Sequence, residues 1–260
     1  MSGRSSHFVA VEHVFMHFGG IEAVCDVSLT VAPGQIFGLV GSDGAGKSTL
    51  LRMIATMIKP AAGRITVAGR DVVADKKSVK DLIGYMPQRF GLYPDLTVDE
   101  NLRFFMDIFG IPREERQRRR EKYLGFSNLL PFADRPAGAL SGGMKQKLGL
   151  ACVLAHEPRL LILDEPTNGV DPVSRQEFWD ILGEMRREGM TILVSTAYLD
   201  EGEKCDTLAL MHKAQIIAVA TPVAIRTAFP SLEAAMIARL QEFDREMASG
   251  SSGFRSAGPP

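Results

Sequence analysis

The stretch Ile36-Phe37-Gly38-Leu39-Val40-Gly41-Ser42-Asp43-Gly44-Ala45-Gly46-Lys47-Ser48-Thr49 decides the fold. It begins as an apolar run of strand length. From Lys47 to Ile58 the apolar residues Leu50, Leu51, Ile54 and Ile58 then recur at helical spacing. Between the two lies the pattern G-x-x-x-x-G-K-[ST], informative because it follows a buried strand and opens an amphipathic helix. Glycines let successive N–H groups turn inward toward phosphate oxygens, and the positive end of the helix dipole adds to their field. Residues 41–49 therefore read as a cradle for nucleotide phosphates, in which Lys47 meets the β and γ phosphates and Ser48 offers its hydroxyl to Mg2+. An accidental Gly-rich turn would not call for the flanking strand and helix.

Working outward, residues 8–14 and 25–31 are short, rich in β-branched side chains and closed by Gly19-Gly20 and Pro33-Gly34, which predicts antiparallel strands. Residues 159–163 and 190–194 are apolar runs that end in polar residues before helix-compatible stretches, the pattern of a parallel α/β sheet. Ligands of such sheets sit at the carboxyl ends of the strands. From about residue 93 to 158 there is no strand pattern, and residues 98–109, 113–124 and 142–156 read as helices, so this segment is expected to be a helical insertion. Residues 113–122 carry six basic and three acidic side chains and read as a solvated helix face rather than a binding patch. Residues 249–260 are dominated by Ser, Gly and Pro, which predicts a disordered tail after a domain spanning 1–248.

The composition of the 260 residues, 45% hydrophobic and 23% charged, is that of a globular protein and excludes a disordered or fibrous chain. Thirty Lys and Arg against 31 Asp and Glu leave a net charge of -1, so no global field draws the chain to nucleic acid or to an anionic bilayer. Cys25, Cys152 and Cys205 are too few for a disulfide framework and match no zinc spacing, which fits a reducing, cytoplasmic compartment. No apolar run approaches the roughly 18 residues of a spanning helix. The polar residues 1–7 are followed by no run of signal-peptide type.

A second chemical signal is Leu160-Leu161-Ile162-Leu163-Asp164-Glu165, two acids at the end of an apolar strand. Burying such charges is costly without compensation, so a cation is expected, with Mg2+ on Asp164. Neighbouring strand residues point to opposite faces, which leaves Glu165 free to orient or deprotonate a water attacking the γ phosphate. Two acids merely capping a strand is the blander reading, and the phosphate loop argues against it.

Leu140-Ser141-Gly142-Gly143-Met144-Lys145-Gln146-Lys147 opens a helix and offers a hydroxyl and backbone N–H groups to a second anion. It resembles the LSGGQ signature of ABC-type ATPases. The resemblance implies a P-loop ABC ATPase fold of the α/β class: a RecA-like core, an antiparallel β subdomain and an inserted helical subdomain. It also implies that two such subunits pack head to tail, with ATP between the phosphate loop of one and Ser141, Gly142 and Gly143 of the other. By the same resemblance Gln88, in Tyr85-Met86-Pro87-Gln88, looks like the Q-loop glutamine that senses Mg2+. Phe18 sits where relatives place a ring under adenine, local packing being the alternative, and Asn168-Gly169-Val170-Asp171 looks like the D-loop. These motifs run in family order from Phe18 to about Glu203 and cover most of the chain. The implied catalytic set is Glu165, Lys47 and Gln88, and the implied metal set Ser48, Gln88 and Asp164. Two positions depart from the pattern. Ala197, in Ser195-Thr196-Ala197-Tyr198-Leu199-Asp200-Glu201, replaces the switch histidine of many relatives, and Met144 replaces the usual Gln.

Within the resemblance, the expected role is the ATP-binding and ATP-hydrolysing subunit that drives a separate membrane permease from its cytoplasmic side. The alternative is an ABC ATPase acting on nucleic acid or ribosomes. DNA-repair members insert a long coiled coil between phosphate loop and signature, and translation members carry two cassettes. Lys47 and Leu140 are separated by no sustained heptads and a single cassette is visible, so no nucleic-acid partner is expected. The segments 85–93, 195–198 and Ser231-Leu232-Glu233 look like the bacterial drug and polysaccharide exporter branch.

Overall fold

A computed structural model of the chain describes residues 7–227 and 229–250. The elements run β1 (Val9–Phe18), β2 (Ile21–Val31), β3 (Ile36–Val40), α1 (Lys47–Ile54), β4 (Ala62–Val67), β5 (Arg70–Asp71), α2 (Lys76–Lys80), β6 (Ile83–Met86), α3 (Val98–Ile108), α4 (Arg113–Phe126) and α5 (Gly142–Leu154). They continue with β7 (Leu160–Asp164), α6 (Pro172–Arg187), β8 (Thr191–Thr196), β9 (Thr207–His212), β10 (Gln215–Ala220), α7 (Pro222–Arg226) and α8 (Leu232–Gly250). Ser249 and Gly250 thus end α8, and the rest of the predicted tail lies outside the described residues.

Two sheets organise the chain. One has the order β10-β9-β3-β8-β7-β6, parallel from β9 to β6 with β10 antiparallel at the edge, and the other is antiparallel in the order β2-β1-β4-β5. The inner strands β3, β7 and β8 are buried along their whole length, which is why they read as apolar runs without alternation. Most of their side chains nonetheless divide between two cores, while Val40 joins a third beside β9, α7 and α8. Phe37, Leu39, Leu160, Ile162 and Leu193 pack with the antiparallel sheet and α1, whereas Ile36, Leu161, Leu163, Ile192 and Val194 pack with α3, α5 and α6.

The predicted strands and helices form, with shifted ends. The helix opened by Lys47 stops at Ile54 instead of Ile58 because Thr56 takes a left-handed backbone (φ 62°), which turns the chain toward β4. Between β6 and β7 the chain is helical. Thr97 and Glu100 cap α3 reciprocally, and Ser141 and Asp171 each accept an N–H at the starts of α5 and α6.

The reading of residues 113–122 as a solvated face holds for Arg113, Glu114, Gln117, Arg118 and Glu121, which are exposed, and is corrected for Arg119 and Arg120. Arg119 is buried, pairs with Glu115 and Glu157, and donates to the Ala155 carbonyl at 2.6 Å, while Arg120 and Arg103 share Asp99. The basic run of α4 is therefore partly a charged seam that joins α4 to α3 and to the end of α5. Charge counting misses this because it does not see which cations face a carboxylate.

Candidate active site

The phosphate loop is shaped by close backbone approach. A Cβ at Gly41 would lie 2.2 Å from the Met211 carbonyl oxygen, and one at Gly46 would lie 2.2 Å from that of Ala23. Gly44 and Gly46 also take φ values of 78° and 106°, which disfavour any side chain. Gly46 leads into α1, and unlike α3, α5 and α6 this helix has no side chain capping its first turn. The donors of that turn face a cleft of about 290 Å³ lined by residues 44–49, Ile21, Ala23 and Glu165. An uncapped helix start in a glycine cradle suits an anion.

Consecutive residues of α1 engage consecutive residues at the end of β7. Lys47 is buried; its Nζ donates to the carbonyls of Gly41 (2.7 Å) and Ser42 (3.0 Å) and lies 3.0 Å from Glu165 Oε1. Ser48 Oγ donates to Asp164 Oδ1 at 2.7 Å. Asp164, wholly buried, also accepts from Ser195 Oγ at 2.9 Å and, on Oδ2, from the Tyr85 hydroxyl at 3.3 Å. Burial raises the Tyr85 hydroxyl above its ordinary pKa.

Strand alternation predicts that Asp164 and Glu165 face opposite ways. Both instead face the first turn of α1. β7 ends at Asp164, and Glu165 takes φ 50°, so the chain turns back on itself at that residue. The Glu165 N–H is held by Ser195 Oγ (3.0 Å), and its Oε2 accepts from Gln88 Nε2 (3.0 Å) and Asn168 Nδ2 (3.3 Å).

The donors at this place are a hydroxyl, a carboxylate and an amide, hard groups of the kind Mg2+ prefers. Among the described residues no cluster of three or more His, Cys, Asp and Glu could hold a metal by itself.

Sequence reasoning placed Lys47, Ser48, Gln88, Asp164 and Glu165 together, and the structure joins them. It missed Ser195, Tyr85 and Asn168, whose bonds hold the two acids, because nothing in their spacing points at β7. Phe18 is exposed at the tip of the β1–β2 hairpin, and its cross-strand partner Ile21, not Phe18, lines the cleft. Ser141, Gly142 and Gly143 do not line it either. Ser141 caps α5 through the Met144 N–H (3.2 Å), Gly143 packs against Ser174, and Gly142 lines a separate cleft of about 400 Å³ with Gln88, Phe90, Pro94 and Lys145. Met144 is partly buried against the apolar core, a packing role for this departure from the signature.

Fold and site together define a P-loop ATPase of the ABC type. Residues 24–168 match the family described as ABC transporter, and the chain belongs to that family. It is 49% identical over 203 residues to the probable multidrug ABC transporter ATP-binding protein YbhF of Escherichia coli (strain K12), covering 78% of this chain and 35% of that protein. It is 40% identical over 209 residues to Nod factor export ATP-binding protein I of Rhizobium sp. (strain N33), covering 80% of this chain and 69% of that one. Among solved structures, cbiO1 from Clostridium perfringens, part of the ABC transporter complex cbiONQ, superposes with a TM-score of 0.81 at 26% identity. That match covers 94% of this chain and 100% of cbiO1. The chain spans about a third of the length of YbhF.

Proposed function

We propose that this chain binds ATP at residues 41–49 and hydrolyses it, and that two copies closing on ATP drive a separate membrane permease. The carrying observation is the convergence of Lys47, Gln88 and Glu165: Lys47 Nζ on one carboxylate oxygen and Gln88 Nε2 on the other, each at 3.0 Å. Lys47 offsets phosphate charge, the N–H groups of the loop hold the phosphate oxygens, and Ser48 and Asp164 would hold Mg2+. When bound, Mg2+ neutralises charge developing on the phosphate oxygens. Glu165 takes the proton of the attacking water as its oxygen bonds to the γ phosphorus and the bond to the β–γ bridging oxygen breaks, giving ADP and phosphate. Phe18, with Ile21 beside it, is the ring for the adenine.

The signature residues Ser141, Gly142 and Gly143 stand outside the chain's own phosphate cleft, which supports a head-to-tail homodimer in which each copy completes the other's site. We assign residues 1–248 to one ATPase domain with residues 93–158 as its helical subdomain. Among the described residues no helix is long and apolar enough to cross a membrane. The transporter names of the relatives support a membrane permease as the partner that holds this chain at the cytoplasmic face. The name of the Nod factor export protein favours export, and the names of both relatives favour transport over action on nucleic acid. The test is phosphate release from ATP by the full chain with Mg2+ and with chelator. Mg-dependent release supports the reading, and absence of nucleotide binding under both conditions sinks it.

A further inference from the structure

Glu201 is the most deeply enclosed carboxylate that the site above does not use, with 1% of its surface exposed. It lies in the short helical turn Leu199–Lys204 and joins three separate pieces of chain. Oε1 accepts from Thr167 Oγ1 at 2.7 Å, Oε2 accepts from Thr196 Oγ1 at 2.5 Å, and Arg175 of α6 places its Nε 3.7 Å from Oε1. Arg175 in turn lies 4.1 Å over the ring of Tyr198, whose N–H donates to Thr196 Oγ1 at 3.0 Å.

Each hydroxyl that Glu201 holds is one short step from an acid of the site. Thr196 follows Ser195, which binds Asp164 Oδ1 and the Glu165 N–H. Thr167 precedes Asn168, which donates to Glu165 Oε2. A buried carboxylate is an expensive way to join two segments that an apolar contact would join more cheaply. What it adds is direction, since each oxygen fixes one hydroxyl and hence one segment.

We propose that Glu201 is a positioning residue for hydrolysis: through Thr167 and Thr196 it holds the loop after β7 and the carboxyl end of β8 so that Glu165 and Asp164 keep their orientation. The inference rests on the ATPase reading, and its test separates the two. The full chain is compared with Glu201→Gln and with the nearly isosteric Thr167→Val and Thr196→Val, each measured for melting temperature, Mg-ATP KM, kcat and amide exchange at residues 164–168 and 195–199. Expected are a fall in kcat of about ten- to a hundredfold with KM within about twofold. Faster exchange in both segments of Glu201→Gln should accompany it, with each Thr variant loosening its own segment. An unchanged kcat, a kcat loss that tracks the folded fraction, or exchange confined to residues 199–204 overturns the proposal. A wild-type chain that binds Mg-ATP without turnover would refute the ATPase reading, and the exchange data would still decide whether Glu201 orders both segments.

Discussion

Lys47 Nζ lies 3.0 Å from Glu165 Oε1, with both side chains buried, so the residue assigned to the phosphates is paired with the residue assigned to water. An arriving γ phosphate competes for the same ammonium. Nucleotide binding would thereby free Glu165 as it fills the cradle, while Gln88 and Asn168 keep hold of the other carboxylate oxygen.

Lys47→Ala should abolish Mg-ATP binding and also lower stability. Removing one partner of a buried ion pair typically costs about 3–5 kcal/mol, and the donors from Gln88 and Asn168 place this case at the low end. Nucleotide titration and thermal melting measure the two effects. Unchanged affinity would remove Lys47 from the site.

Phe90 and Tyr93 separate into two roles. Exposed rings close to Gln88 in sequence would suit docking on the proposed permease, but Phe90 is partly buried, 5.1 Å from Phe105 between centroids, and lies against Gly149. Tyr93 remains exposed and leans on Phe104 at 4.5 Å. Phe90→Ala should therefore lower the melting temperature, whereas Tyr93→Ala should leave melting nearly unchanged and weaken permease co-purification. Intact co-purification and coupled ATPase in Tyr93→Ala would move the docking surface elsewhere.

Ala197→His tests whether the missing imidazole limits turnover. A restored charge-stabilising hydrogen bond is worth roughly 100- to 1000-fold. With Glu165 still held by Gln88 and Asn168, the expected gain is less than about tenfold by the same measure. Steady-state hydrolysis with and without the permease reads it. A large gain under both conditions would mean that nothing in this chain compensates.

Acid should loosen the turn after β5. Asp71 accepts the N–H groups of Val73 and Ala74, chiefly the latter, and these bonds hold its carboxyl below the usual range. The stability it adds is present above the unfolded carboxylate pKa and is lost as pH falls through the lowered folded value. Asp71→Asn should flatten that part of the pH–stability curve, and unaltered curvature in acid would contradict the assignment.

The site was legible wherever chemistry fixes spacing. Lys47 and Ser48 announce themselves because a phosphate loop needs glycines, a lysine and a hydroxyl in order, and Asp164 does so because a buried strand rarely ends in acid without purpose. The strands β9 and β10 and the helices α7 and α8 carry no such signal, and their patterns became readable only in tertiary contact. Glu165 shows the limit of a periodicity rule: alternation holds within β7, and the left-handed backbone of the next residue reverses its prediction. Arg119 shows another, since charge counting cannot tell a solvated cation from one buried against a neighbouring helix.

The most direct test is Glu165→Gln, which removes the base while keeping size and most hydrogen bonds. The full-length variant and wild type are compared for Mg-ATP affinity, hydrolysis rate and mass by light scattering in Mg-ATP. The account predicts retained affinity, hydrolysis reduced by at least about a hundredfold, and a trapped dimer. Hydrolysis at the wild-type rate would contradict it.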